Sequence, residues 1–177
     1  MKSVLFGLLL FPVLGFSQQI ASSKSTVTFF SEALIEDITA INKKSRSVID
    51  LESGKIAFSI PIKEFEFKKS LMQEHFNDKY LESVKYPKST FSATIIDFEA
   101  GKDVEEIIAE GELEIHGVKK NVQITGSIEH KGGKMFIRCV FTVLIADYKI
   151  KIPRLMFQNI AEEIEITIEF EYETNEK

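Results

Sequence analysis

The stretch that decides the fold is Gly111-Glu-Leu-Glu-Ile-His-Gly117, followed by Val118-Lys-Lys-Asn-Val-Gln-Ile-Thr-Gly-Ser-Ile128. In the first segment, the apolar residues Leu113 and Ile115 alternate with polar ones, and the second segment repeats this alternation. Successive side chains of a strand point to opposite faces, so each segment should bury one face and expose the other. The pair therefore predicts an antiparallel hairpin whose tight turn contains His116 and Gly117.

The same alternation recurs along the chain. Strand patterns occupy residues 26–30, 34–41, 55–62, 89–98, 107–116, 121–130, 135–145 and 163–172. Turn residues separate several of these segments, with Ser53-Gly54 before the third and Lys131-Gly132-Gly133-Lys134 before the seventh. An antiparallel sheet of about eight strands can close on itself and leave room for one small ligand. We therefore expect an all-β fold with a helical insertion: a closed antiparallel barrel of about eight strands plus one or two short helices.

One segment changes to helical spacing. Ser70-Leu-Met-Gln73 is typical of a capping box, in which Ser70 is the N-cap residue and Gln73 reaches back to it. Apolar side chains then recur at every fourth position: Met72, Phe76, Tyr80 and Val84. This pattern predicts an amphipathic helix that ends before Pro87. We also expect a second short helix or an irregular crossing near Pro153 to Ile160.

The N-terminus is typical of a secretory signal peptide. Lys2 precedes an apolar run (Val4–Phe16) that contains a small residue near its end and is followed by another. The run is too short for a membrane span, which needs about 20 apolar residues. We expect residues 1–17 to be cleaved near Ser17/Gln18. Residues 18–177 should form one domain that is exported to the periplasm or the extracellular space.

Composition narrows the classes of partner. The formal net charge is −5, and an acidic balance argues against nucleic acid, whose phosphates attract basic surfaces. No later apolar run is long enough to span a bilayer, so we expect no stable membrane insertion, and a homodimer is left open. The only cysteine is Cys139, which excludes an intrachain disulfide. Cys139 lies on the same face of its predicted strand as neighbouring apolar residues, which favours a small buried side chain over a reactive thiol.

Few residues suit catalysis or metal binding. The histidines His75, His116 and His130 match no zinc spacing, and the chain has no nucleophile elbow, phosphate loop or GxGxxG motif. Packing and hydrogen bonding within the fold best explain His75 and His116, and His130 should be exposed. The alternating glutamates of segment 163–172 point in parallel, which fits a solvated strand face better than a metal site. We therefore predict no catalytic residue, no metal and no cofactor.

Apolar side chains are abundant, with 15 phenylalanines and no tryptophan. A barrel of this size cannot fill its whole interior, so the remaining space should form an apolar slot for a lipid chain. The expected lining consists of inward-facing side chains of the strands and the helix: Phe58, Ile60, Phe76, Tyr80, Phe91, Leu113, Ile115, Ile124, Ile137, Phe141, Ile166 and Ile168.

These patterns resemble the YceI-like family of secreted lipid-binding proteins over nearly the whole chain after residue 17. Residues 111–120 are similar to the family's G-x-L-x-[IL]-H-G-V-[TK]-[KR] hairpin. Residues 72–91 are similar to the family's helix with a His-Phe pair, followed by a proline and a phenylalanine-containing strand. The third similarity comprises Asp147–Pro153, Ile160-Ala161 and the closing alternating strand.

The resemblance implies a lipocalin-like barrel that holds a polyisoprenoid or a similar amphiphile, exported to the periplasm, with no catalytic residues. The chain departs from the family near its start, where an aromatic-rich opening is reduced to Thr26-Val-Thr-Phe-Phe30. We expect non-catalytic transport or storage of a long-chain apolar ligand such as a polyisoprenoid or an isoprenoid quinone. Two alternatives stay open. One is a filled barrel with a structural or stress-response role in the cell envelope. The other is an enzyme acting on a lipid-like substrate, for which only His75, His116 or Asp147 could supply the polar groups.

Overall fold

The computed structural model describes residues 18–32, 36–99, 101–152 and 160–174, which contain one antiparallel sheet of ten strands. The strands are β1 (Gln19–Ser31), β2 (Ile38–Asn42), β3 (Arg46–Asp50), β4 (Lys55–Pro61), β5 (Phe65–Phe67), β6 (Lys88–Ile95), β7 (Val104–Ile115), β8 (Val118–Lys131), β9 (Lys134–Leu144) and β10 (Glu163–Glu173). The helix α1 (Ser70–His75) continues into a π-helical turn, Phe76–Tyr80, and two 3₁₀ turns span Ile62–Glu64 and Ile145–Tyr148.

Eight of the strands close into a barrel because β1 pairs with β10. The order around the barrel is β10-β9-β8-β7-β6-β4-β3-β1, and the closing register places Val27 opposite Ile168. The other two strands extend the wall at one end. Along one edge of β1, Gln19–Ala21 pair with β3 and Val27–Ser31 pair with β2. Strand β5 then pairs with β2. The predicted closed antiparallel barrel is confirmed.

The sequence pattern did not reveal β3 and β5. Strand β3 buries Ser47 and Ile49 on its inner face, so a polar residue occupies an inward position and hides the alternation. Strand β5 has only three residues, which is too short for a periodic pattern. The inner position of Ser47 is stabilised by hydrogen bonds: the Tyr172 hydroxyl donates to Ser47 Oγ at 2.7 Å, and Ser47 donates to the Ala57 carbonyl at 3.1 Å.

The helix differs from the prediction at both of its ends. Lys69, not Ser70, is the N-cap residue, and the Gln73 side chain accepts a hydrogen bond from the Phe67 backbone N–H at 3.3 Å instead of reaching back to Ser70. Val84 is 80% exposed, because the helical turns end at Tyr80 and Val84 lies in the following connection. The predicted capping box and the inward position of Val84 are therefore wrong.

Three of the predicted segments lie wholly or partly outside the described residues. They are the signal peptide at residues 1–17, the start of the second predicted strand at residues 34–35, and most of the second helix or crossing, at residues 153–159.

The turn between β7 and β8 is the two-residue turn that the sequence predicted. His116 and Gly117 both have positive φ angles, +52° and +70°, and Ile115 pairs directly with Val118. This is the geometry of a type I′ turn, which suits the twist of a hairpin. A Cβ atom on Gly117 would lie 2.5 Å from Cε1 of Tyr86, whose ring packs against His116 with a centroid separation of 4.4 Å.

We predict that Gly117→Ala destabilises the protein more than Gly132→Ala does. Gly132 also has a positive φ, +59°, but a Cβ there would have no atom within 4 Å. Both substitutions carry the cost of a left-handed residue, about 1–2 kcal/mol, and only Gly117→Ala adds overpacking against Tyr86, about 1–3 kcal/mol. Urea unfolding of the two variants measures the difference. Equal losses would show that Tyr86 moves aside without cost.

Candidate functional site: an apolar cavity at one end of the barrel

The barrel contains a cavity of about 290 Å³ at the end where α1 lies. Its wall combines the inner faces of strands, the helical turns and the connecting segments. The lining residues are Val27, Phe29, Ile38, Phe58, Ile60, Phe65, Phe67, Ser89, Leu113, Ile115, Phe141, Val143, Ile164 and Ile166 from strands; Met72, His75, Phe76, Tyr80 and Leu81 from the helical segment; and Glu36, Ile62, Ile145, Ile150, Ile152 and Ile160 from connections.

The helical segment forms part of this wall through one of its faces. Met72, His75, Phe76 and Tyr80 follow the spacing of a single helical face, and all four line the cavity. The Leu81 N–H donates to the Phe76 carbonyl at 2.8 Å, an i→i+5 bond that defines the π-helical turn. The wider turn adds a residue to the inward face, so that Leu81 also contacts the cavity.

An aromatic cluster attaches the helix to the barrel. The Phe76 ring stacks on Phe29 of β1 with centroids 5.8 Å apart. It also contacts Phe65 and Phe67 of β5, at 5.5 and 4.9 Å. Aromatic pairs of this kind contribute about 0.5–1.5 kcal/mol each beyond their buried area. Phe76 therefore holds the helix in place against β1 and β5.

The structure brings eight of the twelve predicted lining residues to the cavity wall. They are Phe58, Ile60, Phe76, Tyr80, Leu113, Ile115, Phe141 and Ile166. The other four lie in the packed core and do not line the cavity: Phe91, Ile124, Ile137 and Ile168. All four face inward, but the interior beside them is filled. Phe58, for example, packs on Phe91 at 4.9 Å and on Phe170 at 5.9 Å.

Sequence reasoning missed several residues of the wall. Phe29 lay in a predicted strand but was not assigned to the lining, and Phe65 and Phe67 lie on the strand that was not predicted. The Phe-Glu-Phe alternation of 65–67 was the available signal. Ile145 and Ile150 line the cavity from the connection after β9, where no periodicity marks an inward side chain.

The polar part of the wall is small and consists of Glu36, His75, Tyr80 and Ser89. Glu36 forms an ion pair with Lys69. The hydrogen bond that Lys69 donates in this pair lowers the pKa of the Glu36 carboxyl. Burial raises the pKa of the Tyr80 phenol. Ser89 is buried on the inner face of β6, with 7% of its surface exposed.

His116 lies outside the cavity wall and joins three segments. Its Nε2 atom is 2.8 Å from a carboxylate oxygen of Glu82, in the connection after the helix. Its Nδ1 atom is 3.1 Å from the backbone carbonyl of Tyr148, in the 3₁₀ turn after β9. These contacts hold the β7–β8 turn against both connections, which is the structural role expected of His116.

Other charged groups are paired on the outer surface. Asp147 contacts Lys120 at 2.8 Å, and Arg138 contacts Glu169 of the acidic strand β10 at 3.4 Å. A hydrogen bond from Lys134 lowers the pKa of Glu171. Within the described ranges, no three His, Cys, Asp or Glu side chains are grouped to hold a metal ion. No helix in those same ranges is long and apolar enough to cross a membrane.

Cys139, predicted to be buried, is partly buried and packs against the core, so its reactivity provides a test of that packing. Burial raises the pKa of its thiol to about 12, so at pH 8 its thiolate fraction is on the order of 10⁻⁴. We therefore predict that Cys139 reacts with Ellman's reagent far more slowly in the native protein than in the urea-unfolded protein, where one thiol per chain should react within minutes. Rapid stoichiometric labelling of the native protein would contradict this burial.

The fold and the cavity define a lipocalin-like β-barrel. The chain belongs to the family described as YceI-like domain, which matches residues 18–172.

Three solved structures share the fold. A polyisoprenoid binding domain from Saccharophagus degradans, implicated in plant cell wall breakdown, has a TM-score of 0.75 at 14% identity, covering 89% of this chain and 99% of that one. BcnA from Burkholderia cenocepacia has a TM-score of 0.71 at 17% identity, covering 83% and 95%. The YCEI protein of Campylobacter jejuni has a TM-score of 0.59 at 17% identity, covering 99% and 94%. No curated protein matches this sequence.

Proposed function

We propose that this protein binds a long-chain apolar ligand, such as a polyisoprenoid or an isoprenoid quinone, in the barrel cavity and transports or stores it without catalysis. The observation that carries the proposal is the cavity of about 290 Å³ with an almost entirely apolar wall. Transfer of a chain from water into such a wall contributes about 0.8 kcal/mol per CH₂ group. Several enclosed methylene groups are therefore enough to offset the cost of association.

The size of the cavity supports partial enclosure of a long ligand. About 290 Å³ lies at the lower limit of typical ligand pockets, which span roughly 300–1,000 Å³. A long isoprenoid would therefore place one part in the cavity and leave the rest beyond it. The family membership and the S. degradans neighbour, named as a polyisoprenoid binding domain, support this class of ligand.

The two alternatives find less support. A filled barrel would have its interior occupied along its whole length, whereas the space beside α1 is open. An enzyme would need polar groups that converge in the cavity. His116 and Asp147 do not line it and are engaged with Glu82 and Lys120. His75 does line it, but among the described residues no acid–base group forms a hydrogen bond or ion pair with His75.

We predict that Ile166→Trp weakens binding of a long isoprenoid by about tenfold or more, whereas its effect on stability is small. Ile166 lies on the cavity wall, so the larger side chain would occupy ligand space. Ile168, two residues further along the same face of β10, is 1% exposed and does not line the cavity. Ile168→Trp is therefore the matched control and should overpack the core, at a cost of about 1–3 kcal/mol.

Native mass spectrometry with added isoprenoid measures the bound fraction, and urea unfolding measures stability. If Ile166→Trp destabilises the fold as much as Ile168→Trp and the wild-type protein binds no isoprenoid, the ligand-binding function is refuted and the filled-barrel alternative is supported.

We further propose that the protein is exported and acts in the periplasm or the extracellular space. The support is the Lys2 residue and apolar run of residues 1–17, which precede the matched family region at residue 18. N-terminal sequencing of the protein from its own host should begin near Gln18 or Gln19. A chain recovered from the cytosol that still begins at Met1 would refute export.

A further inference from the structure

Three polar side chains of the cavity wall have no hydrogen-bond partner within the described part of the chain: His75, Tyr80 and Ser89. We propose that these three side chains recognise the head group of the ligand and that this head group is uncharged and hydrogen-bonding, such as an alcohol, ketone or ester. The inference rests on the proposed function and adds to it the chemistry of the ligand's polar end. It excludes a phosphorylated isoprenoid as the preferred ligand.

Ser89 gives the strongest indication. It is more than nine-tenths buried and faces inward on β6, in the same row as Phe91 and Ala93. A buried hydroxyl without a partner is unfavourable, so most buried polar groups in proteins are hydrogen-bonded. Two other buried serines of this barrel follow that rule: Ser47 bonds to the Ala57 carbonyl, and Ser31 accepts the Ala161 N–H at 2.9 Å.

The oxygen of Ser89 also differs from the other unpartnered serine oxygens. Those of Ser25 and Ser83 are fully enclosed by protein atoms, and neither residue lines the cavity. The Ser89 oxygen is not enclosed in this way, and its residue does line the cavity. A ligand atom in the cavity can therefore reach the Ser89 hydroxyl, which would satisfy it.

His75 and Tyr80 supply the other hydrogen-bonding groups from the helical segment. Both belong to its inward face, with Met72 and Phe76. The Tyr80 phenol is protonated at neutral pH, burial raises its pKa further above neutrality, and it is therefore available to donate. An imidazole ring and a serine hydroxyl can each donate and accept. The three groups together therefore suit a head group that accepts hydrogen bonds, and an alcohol head group could also donate one.

The charge of the wall explains why the head group should be neutral. Of the described lining residues, none is lysine or arginine, and Glu36 contributes a carboxylate. Lys69 forms an ion pair with this Glu36 carboxylate. A phosphate depends on charge-assisted bonds from cations to offset its desolvation, and this wall provides none. The β9 and β10 side of the cavity offers only apolar side chains, which suits the tail of the ligand.

The experiment compares three ligands that share one C20 isoprenoid tail: geranylgeraniol, geranylgeranyl phosphate and the corresponding hydrocarbon without a head group. Each ligand displaces the uncharged fluorescent probe N-phenyl-1-naphthylamine from the mature protein. We expect the alcohol to bind about three- to tenfold more tightly than the hydrocarbon, as expected for one or two net hydrogen bonds. We also expect the alcohol to bind more tightly than the phosphate.

Two variants that each remove one hydroxyl test the residues directly. Tyr80→Phe and Ser89→Ala should each weaken binding of the alcohol about threefold or more and leave hydrocarbon binding unchanged. Tyr148→Phe is the matched control, because Tyr148 is buried outside the cavity wall, and it should change neither affinity. Thermal melting of all three variants shows whether each one folds.

The outcomes separate the two proposals. Binding of the phosphate as tight as that of the alcohol, or equal losses for the alcohol and the hydrocarbon in both variants, would overturn the head-group inference and leave the container function standing. Failure of all three ligands to displace the probe would overturn the container function, and the inference with it.

Discussion

The pairing of β1 with β10 is the constraint on which the rest of the structure depends. It joins segments near the two ends of the chain, with Phe29 opposite Ile166 and Ser25 opposite Phe170. Without it, β1 and β10 would each leave an unpaired edge, and the inner faces of both strands would be open to water. The cavity would then lose one side of its wall, since Val27 and Phe29 lie on β1 and Ile164 and Ile166 on β10. Closure therefore creates both the core and the binding space.

One edge of β1 is divided between β3 and β2, and this division coincides with the change from a packed to a hollow interior. At the end of the barrel where β1 pairs with β3, the interior is filled by large side chains such as Tyr172, Phe170 and Met135. Further along β1, the partner becomes β2, and β5 and the helical segment complete the wall. These added elements widen the enclosed region, and Phe76 fixes the helix to it through ring contacts. The space beneath the helix is the result.

The sequence predicted well which side chains of each strand face inward, and predicted poorly which of these side chains line the cavity. Alternation shows which side chains point inward, as it did for Leu113 and Ile115, because the period of a strand is a local property. Whether an inward side chain meets empty space depends on residues distant in sequence. Phe91 and Phe58 lie opposite each other on inward faces, yet only Phe58 reaches the cavity. No periodicity within β6 carries that information.

The remaining differences between prediction and structure arise where a polar side chain bonds to a partner outside its own strand or helix. Ser47 faces inward because the distant Tyr172 hydroxyl bonds to it, and that partner cannot be inferred from β3 alone. The Gln73 side chain bonds to Phe67 rather than to the start of its own helix because β5 ends directly before α1. In both cases a polar group found its partner through tertiary structure, which overrides a local motif of modest strength.

The two ends of the barrel differ in how some of their inward-facing hydroxyl groups are hydrogen-bonded. In the packed region, the Tyr172 hydroxyl donates to Ser47, which donates in turn to the Ala57 carbonyl. Ser25 of the same region is an exception, because its enclosed hydroxyl has no hydrogen-bond partner within the described residues. In the cavity, the hydroxyl of Ser89 has an inward position of the same kind but no protein partner in the described chain. Unsatisfied polar groups cost stability when they are buried, and the head group of the proposed ligand would satisfy the Ser89 hydroxyl. The proposed ligand would complete the hydrogen bonds and apolar contacts of the cavity, whereas the core beyond the cavity is packed by the protein's own side chains.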